Sequence, residues 1–458
     1  MWQRLIFGLL APLAVVAQDT ASLERQLTDK ISATLKQSGA PSASIAVLKD
    51  GKLAFAKAFG NATLSPERPA TTETRYAVGS ISKQFTAAAI LLAQEKGQLS
   101  LDDRVAKYFP DLTRASDISI RQILSHTSGY EDYAPQDYLI PEWTRPIAPR
   151  AILERWAKKP LNFEPGTKWQ YSNTGYVLAA AIFEKASGQQ LVTFLRAQIF
   201  DPLGMSSAGD CSQRSPNDAT AYTRFALGPP HEVGREAEGW YLGAAELCMT
   251  PSDLAKWDMA LLRHEILSAA SYQELWREVR LANGDATHYA LGQGIGEFHR
   301  IPAISHSGEV SGFLATNTLY PTRQGAVIVL TNEDGVNLIG PLDEQVATIA
   351  FLPPEPPDSE QATRQVRGIL DGLRKGKIDR SLFTANANSY FSPTALGDIR
   401  SSLASLGKLN TVTRTSESLR GGMTHRSYRA VYEKKSLALN IYVLADGKYE
   451  QFMLTAMN

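Results

Sequence analysis

Strand-forming text sits near the two ends of the first 352 residues and is sparse between them, and this separation restricts the fold more than any other feature. Near the start, Ser44-Ile45-Ala46-Val47-Leu48 and Leu53-Ala54-Phe55-Ala56 flank Lys49-Asp50-Gly51-Lys52. Asp-Gly supplies the positive-φ pair that a tight hairpin needs. Ahead of them, Leu23, Leu27, Ile31 and Leu35 recur every fourth residue, which predicts an amphipathic helix ending near Gly39. Near the end, Phe313–Tyr320 and Ala326–Thr331 read as strands around a Pro321–Gln324 turn, with a helix over Leu342–Phe351. From Ser80 to about residue 270 helical segments and loops predominate, the first with Phe85, Ala88, Ala89 and Leu92 on one face and a stop at Gly97. A sheet assembled from both ends of the chain, with helices inserted in the middle, is an α+β arrangement.

Pro353-Pro354-Glu355-Pro356-Pro357-Asp358 is stiff and poor in donors, so residues 353–358 read as a linker. The first domain then covers residues 18–352 and a second covers 359–458. The second begins helically (Val366, Ile369, Leu370, Leu373) and ends in alternating strands, with Leu437, Leu439, Ile441 and Val443 on one face and an Asp446-Gly447 hairpin. Helices followed by a curled antiparallel sheet make a small α+β cone similar in outline to the NTF2-like folds. At the N-terminus, Arg4 precedes an apolar stretch from Leu5 to Ala17, with Val15 and Ala17 at the small-residue positions of a cleavage site. Residues 1–17 therefore read as a secretory leader, which places the chain in a periplasm or outside the cell with no stable membrane span after cleavage. Cys211 and Cys248 are the only cysteines. They either pair, as an oxidising compartment permits, or remain two buried thiols. With 47 basic against 47 acidic residues the net charge is zero, which leaves no basic field for nucleic acid.

Three short motifs carry chemistry. Ser80-Ile81-Ser82-Lys83 places a lysine one helical turn after a serine, where it can take the hydroxyl proton. Ser405-Leu406-Gly407-Lys408 has the same spacing, but only Ser80 follows a glycine, Gly79, and opens an apolar helical pattern. That setting puts Ser80 at a helix N-terminus, whose dipole favours the negative charge of acyl transfer. Tyr171-Ser172-Asn173 follows the Pro165-Gly166 turn and precedes the helical run Val177–Ile182. A phenol beside a lysine is driven toward phenolate and can shuttle protons, and the Asn173 amide can both donate to and accept from a substrate. His306-Ser307-Gly308 lies just before the strand that begins near Phe313. A strand edge there can lend an N–H to an oxyanion hole, and glycine lets substrate approach the backbone.

Ser-x-x-Lys, Tyr-x-Asn and a basic residue–Ser–Gly, in this order and followed by paired strands, resemble the serine β-lactamase and penicillin-binding-protein superfamily. Tyr-x-Asn points to its class C branch with the related esterases and D-amino-acid peptidases. Leu124-Ser125-His126-Thr127-Ser128-Gly129, Phe163-Glu164-Pro165-Gly166, Asp201-Pro202-Leu203-Gly204-Met205 and Gly243-Ala244-Ala245-Glu246-Leu247 are similar to stretches these proteins carry. The resemblance spans roughly residues 22 to 352. It implies a β-lactamase/transpeptidase-like antiparallel sheet flanked by helices, an all-helical lobe, and a site in the cleft between them.

Carried over, the resemblance makes Ser80 the acylated nucleophile, Lys83 its proton acceptor and Tyr171 the group that protonates the leaving group and activates water. Asn173, His306, Ser307 and Gly308 would contact substrate, and the N–H groups of Ser80 and Glu309 would form the oxyanion hole. His126 would be structural. Neither metal nor organic cofactor enters, and the partner is a small ester, peptide or peptidoglycan-like molecule; the oligomeric state stays open. Penicillin-recognising members have lysine where this chain has His306, whose charge at neutral pH would be only fractional. That favours an esterase or D-amino-acid peptidase over a β-lactamase, while intact Ser80, Lys83, Tyr171 and Asn173 count against a penicillin-binding sensory protein that does not turn over. Glu131–Arg150, rich in Tyr, Pro and Trp, is the expected substrate-facing loop.

Overall fold

The computed structural model describes residues 11–136, 138–352 and 357–456, which divide into two compact units at the 352/353 boundary. The expected leader lies outside the described residues up to position 10, and residues 353–356 of the expected linker lie outside them too. In the first unit, helix α1 (Ala11–Ser38) leads to strands β1 (Ser42–Lys49), β2 (Lys52–Leu64) and β3 (Glu67–Pro69). Helices α2 (Ser82–Glu95) and α3 (Asn173–Ser187) belong to the middle of the chain, followed by the short strand β4 (Leu247–Met249) and helix α4 (Pro251–Leu262). Strands β5 (Gly294–Phe298), β6 (Ile301–Val310), β7 (Phe313–Tyr320) and β8 (Gly325–Thr331) and helix α5 (Ile339–Phe351) close the unit. The main sheet has seven antiparallel strands in the order β3-β2-β1-β8-β7-β6-β5.

The two ends of the unit meet where β1 pairs with β8, Ile45 opposite Val329 and Val47 opposite Val327. From Ile45 to Leu48 and from Ala326 to Leu330 the two strands are continuously apolar because both faces of the sheet are covered. Alternate side chains feed opposite cores: Ile45, Val47, Val327 and Val329 join Leu27, Ile31, Leu342 and Val346 from the two terminal helices, while Ala46, Leu48, Ile328 and Leu330 join Phe85 and Trp257 from α2 and α4. Asp50 and Gly51 take φ of 53° and 69°, the conformation a tight β1–β2 turn requires. Thus the α+β expectation holds, with antiparallel sheet and flanking helices as the resemblance implied.

Strands β3, β4, β5 and β6 escaped the sequence reading. His306, Ser307 and Gly308, expected just before the strand that begins near Phe313, lie inside a strand of their own, β6, opposite Asn317, Thr316 and Ala315 of β7. Pro302, three serine or glycine positions and a histidine give this segment weak strand propensity. Pairing with β5 on one edge and β7 on the other holds it extended all the same.

The second unit contains helices α6 (Pro357–Arg374), α7 (Ala385–Tyr390) and α8 (Pro393–Ser405), then strands β9 (Leu409–Arg420), β10 (Met423–Tyr432), β11 (Ser436–Val443) and β12 (Tyr449–Ala456) in an antiparallel meander. Helix α6 starts within the expected linker, since proline is well suited to the first helical position. Val366, Leu370 and Leu373 pack against Tyr428, Leu439 and Ile441 to make its core. Ser405 and Lys408, the second Ser-x-x-Lys pair, are both exposed.

Candidate active site

Ser80 lies in a tight helical turn, Gly79–Ile81, that runs directly into α2. Gly79 has φ of 53°, and a Cβ there would lie 2.6 Å from the backbone nitrogen of Glu309. A Cβ on Gly308 would lie 1.9 Å from the Val78 carbonyl oxygen and 3.2 Å from the Ser80 nitrogen. Only two glycines permit the turn and β6 to meet backbone against backbone. This contact sets the backbone of Gly308 and Glu309 directly against that of Gly79 and Ser80.

Lys83, one turn along α2, is fully buried. Its Nζ lies 2.9 Å from Oγ of Ser80, 2.8 Å from Oδ1 of Asn173 and 3.0 Å from the Ala244 carbonyl oxygen. Burial lowers its pKa to about 7, against the opposing pull of the Asp132 carboxylate. A neutral amine has two N–H groups and one lone pair. Asn173 and Ala244 offer only acceptors and take the two hydrogens, which leaves the lone pair facing the Ser80 hydroxyl. Asp132 fixes this geometry by accepting from the Asn173 backbone N–H at 3.0 Å and from its side-chain Nδ2 at 3.3 Å, so that Oδ1 turns to the lysine.

Tyr171 also lies beside the nucleophile, with its ring centre 4.8 Å from Lys83 Nζ. Burial pushes its phenol well above the ordinary tyrosine value, a hydrogen bond with Ser80 opposing the shift. The lysine therefore does not hold it as phenolate in the resting site, a correction to the sequence expectation: desolvation outweighs the neighbouring amine. The phenol is protonated and shares a hydrogen bond with Ser80.

A second directed chain passes beneath the tyrosine. The backbone N–H of Ser172 donates to Nδ1 of His126 at 3.1 Å, so the hydrogen of this neutral ring sits on Nε2. Nε2 lies 3.3 Å from the hydroxyl of Tyr289, which lies 2.8 Å from Nε2 of His306. The Nδ1 of His306 bonds the carbonyl of Ser307. With one hydrogen per group, His126 donates to Tyr289, Tyr289 to His306 and His306 to the backbone. Burial and the nearby Lys83 lower the His306 pKa to about 3. His306 is accordingly neutral with both ring nitrogens engaged, and the expected fractional charge is corrected. His126 is structural in the sense anticipated: its ring packs on Tyr171 with centroids 4.3 Å apart.

These groups open on a cleft of about 500 Å³ lined by Ser80, Tyr171, Asn173, His306, Ser307 and Glu309. The loop singled out in the sequence supplies part of the wall through Asp132, Ala134, Pro135, Gln136, Tyr138 and Trp143. Cys211 and Cys248 form a disulfide. It ties residue 211 to β4, and β4 in turn receives the Val78 N–H on the Leu247 carbonyl just ahead of Ser80. Asp132, Tyr289 and Glu236, which also lines the cleft, were missed in the sequence. Asp132 alone left a signal, since it lies three residues beyond Thr127-Ser128-Gly129 and inside the singled-out loop.

The model of the beta-lactamase family matches residues 25–350 of this chain. A penicillin-binding protein of Bacillus subtilis (strain 168) is 32% identical over 314 residues, covering 64% of this chain and 68% of that protein. A D-aminopeptidase of Brucella anthropi is 28% identical over 332 residues, covering 68% of this chain and 62% of that enzyme. Among solved structures, the octameric penicillin-binding protein homologue from Pyrococcus abyssi is similar in fold, with a TM-score of 0.63 at 21% identity over 94% of this chain and 96% of its own.

Proposed function

The chain belongs to the beta-lactamase family, and from that premise we propose that it is an exported serine hydrolase cleaving an ester or amide through an acyl-Ser80 intermediate. The observation that carries this reading is the position of the Lys83 amine, 2.9 Å from the Ser80 hydroxyl with its other two partners both acceptors. In acylation, Ser80 Oγ attacks the substrate carbonyl carbon and its proton passes to Lys83. The N–H groups of Ser80 and Glu309 hold the oxyanion. Collapse breaks the bond to the leaving group, which takes a proton from Tyr171, and the Lys83 ammonium then restores the phenol. Water repeats the sequence on the acyl-enzyme, giving the carboxylic acid and free Ser80. The similarity to a D-aminopeptidase supports amides as substrates.

Export rests on the apolar stretch that ends near Ala17, and the disulfide suits an oxidising compartment. No described helix is long and apolar enough to cross a membrane. The helices and four-stranded meander of the second unit support reading it as an NTF2-like cone.

Intact-mass spectrometry after exposure to a fluorophosphonate tests the nucleophile. One adduct should form on the wild type and vanish in Ser80→Ala. An unmodified wild-type protein, or an adduct that survives the substitution, would remove acyl transfer at Ser80 from consideration.

A further inference from the structure

The charge of the cleft bears on which acyl group it accepts. Among the described residues that line it there is no lysine or arginine. His306 is neutral, and its ring nitrogens are committed to Tyr289 and to the Ser307 carbonyl, so it offers a substrate carboxylate neither charge nor donor. Lys83 has its own three partners behind the serine. A carboxylate entering this cleft would lose water and gain no cation in return.

Glu236 stands in the opposite condition. Its Oε1 accepts from the Tyr241 phenol at 3.1 Å, the Ser311 backbone N–H at 3.1 Å and the Ser311 hydroxyl at 2.5 Å. Those bonds fix the carboxylate on the same rim as β6, with Ser311 immediately beyond the end of that strand. Its Oε2 has no hydrogen-bond partner among the described residues. Arg235, its neighbour in sequence, turns away to the Ala219 carbonyl and to Asp218. Asp132, which lines the cleft together with Glu236 and Glu309, is already committed to Asn173 and the Ala134 N–H. Glu236, which lines the cleft, is therefore held through one carboxylate oxygen beside the end of β6, with the other oxygen left for a further donor.

We propose that Glu236 is the specificity residue of this cleft: it binds a protonated amine on the acyl part of the substrate, so that acyl donors with a free amino group are preferred and those bearing a carboxylate are rejected. An ammonium supplies up to three donors to an oxygen that lacks one, and a charge-assisted bond of this kind discriminates strongly against the neutral analogue. The inference rests on acyl transfer at Ser80.

The test compares three alanine p-nitroanilides, each as both enantiomers: with a free amine, N-acetylated and N-succinylated. p-Nitrophenyl acetate serves as a small uncharged reporter of acyl transfer. The wild type should favour the free amine over the N-acetyl compound by at least about tenfold in kcat/KM, the range of a hydrogen bond to a charged group. The N-succinyl compound should be slowest. Glu236→Gln should lower the free-amine to N-acetyl ratio by about tenfold, mainly through KM, and Glu236→Asp should restore part of it. Equal rates on the free and acetylated compounds, or preference for the succinylated one, would overturn the proposal using the wild type alone. A fall of equal size on all three substrates in Glu236→Gln would mark Glu236 as structural and overturn it as well. Failure of the wild type to release p-nitrophenol through Ser80 would instead overturn acyl transfer itself, and this proposal with it.

Discussion

On the floor of the cleft, Lys83 is fully buried, has three close partners and sits one helical turn from Ser80, while Asp132 locks the amide that helps hold it. On the wall, Tyr138 is 69% exposed and Glu236 keeps one carboxylate oxygen without a hydrogen-bond partner among the described residues. The floor is overdetermined: Lys83, Asn173, His126 and His306 are each hydrogen-bonded, which holds each in one orientation. The wall is underdetermined, and its open valences face whatever enters. On the proposed reading, chemistry belongs to the first region and selection to the second, and substitutions should divide along the same line.

The largest effect belongs to Lys83→Met. It should lower kcat/KM for an uncharged ester by about 10³-fold or more, as loss of a positioned base does. Thermal melts should show the fold retained, because an apolar side chain of similar length replaces a buried amine. A fall of less than tenfold would detach the lysine from the chemistry. Asp132→Asn should lower activity by about 10- to 100-fold, because the new amide turns a donor toward Asn173 Nδ2. Its acid limb should also move to lower pH, since the carboxylate is what supports the Lys83 proton. A limb that moves up would contradict that coupling.

Tyr289→Phe breaks both bonds between the two histidines and should reduce kcat by about tenfold while KM changes less, the behaviour of a positioning residue. A wall substitution, Tyr138→Ala, should act mainly on KM and by less than about fivefold. A larger loss in kcat from Tyr138→Ala than from Tyr289→Phe would break the division between floor and wall.

Stability offers a further check on the floor. His306 is neutral in the folded protein down to about pH 3, whereas an unfolded histidine takes a proton near pH 6.5, so the unfolded state binds more protons between these values. Stability must fall as pH drops through that window, by up to about 1.4 kcal/mol per pH unit for this one group. Denaturant titrations of His306→Gln at pH 6 and pH 4 should show a correspondingly smaller loss than the wild type. Equal losses would mean that His306 is not held neutral.

What the sequence disclosed follows the same division. Ser80 and Lys83 are three residues apart, Tyr171 and Asn173 two apart, and each pair is placed by a single local element, so their spacing was informative. Ile45, Val47, Val327 and Val329 were equally legible, because a strand covered on both faces is apolar at every position. The strand Ile301–Val310 was not, since its extended form comes from its two neighbours rather than from its own residues. Tyr289 and Glu236 reach the site from loops distant in sequence from the motifs they serve. The charge states also needed the structure: adjacency suggested a phenolate at Tyr171 and partial charge on His306, and burial reversed both.

The central claim is that the floor keeps Lys83 ready to accept the Ser80 proton near neutral pH. Its most direct test is the pH dependence of kcat/KM on p-nitrophenyl acetate between pH 5 and 9, with acylation at Ser80 verified by mass. His306 titrates below this range and Tyr171 above it, and Glu246, raised by burial to about 8, bonds Gly243 rather than Ser80, so among the groups around Ser80 a limb here belongs to the Lys83–Asp132 pair. Activity should rise with pH through an apparent pKa near 7 and then level off. A profile flat from pH 5 to 9, or one still climbing toward the ordinary lysine value, would contradict the claim.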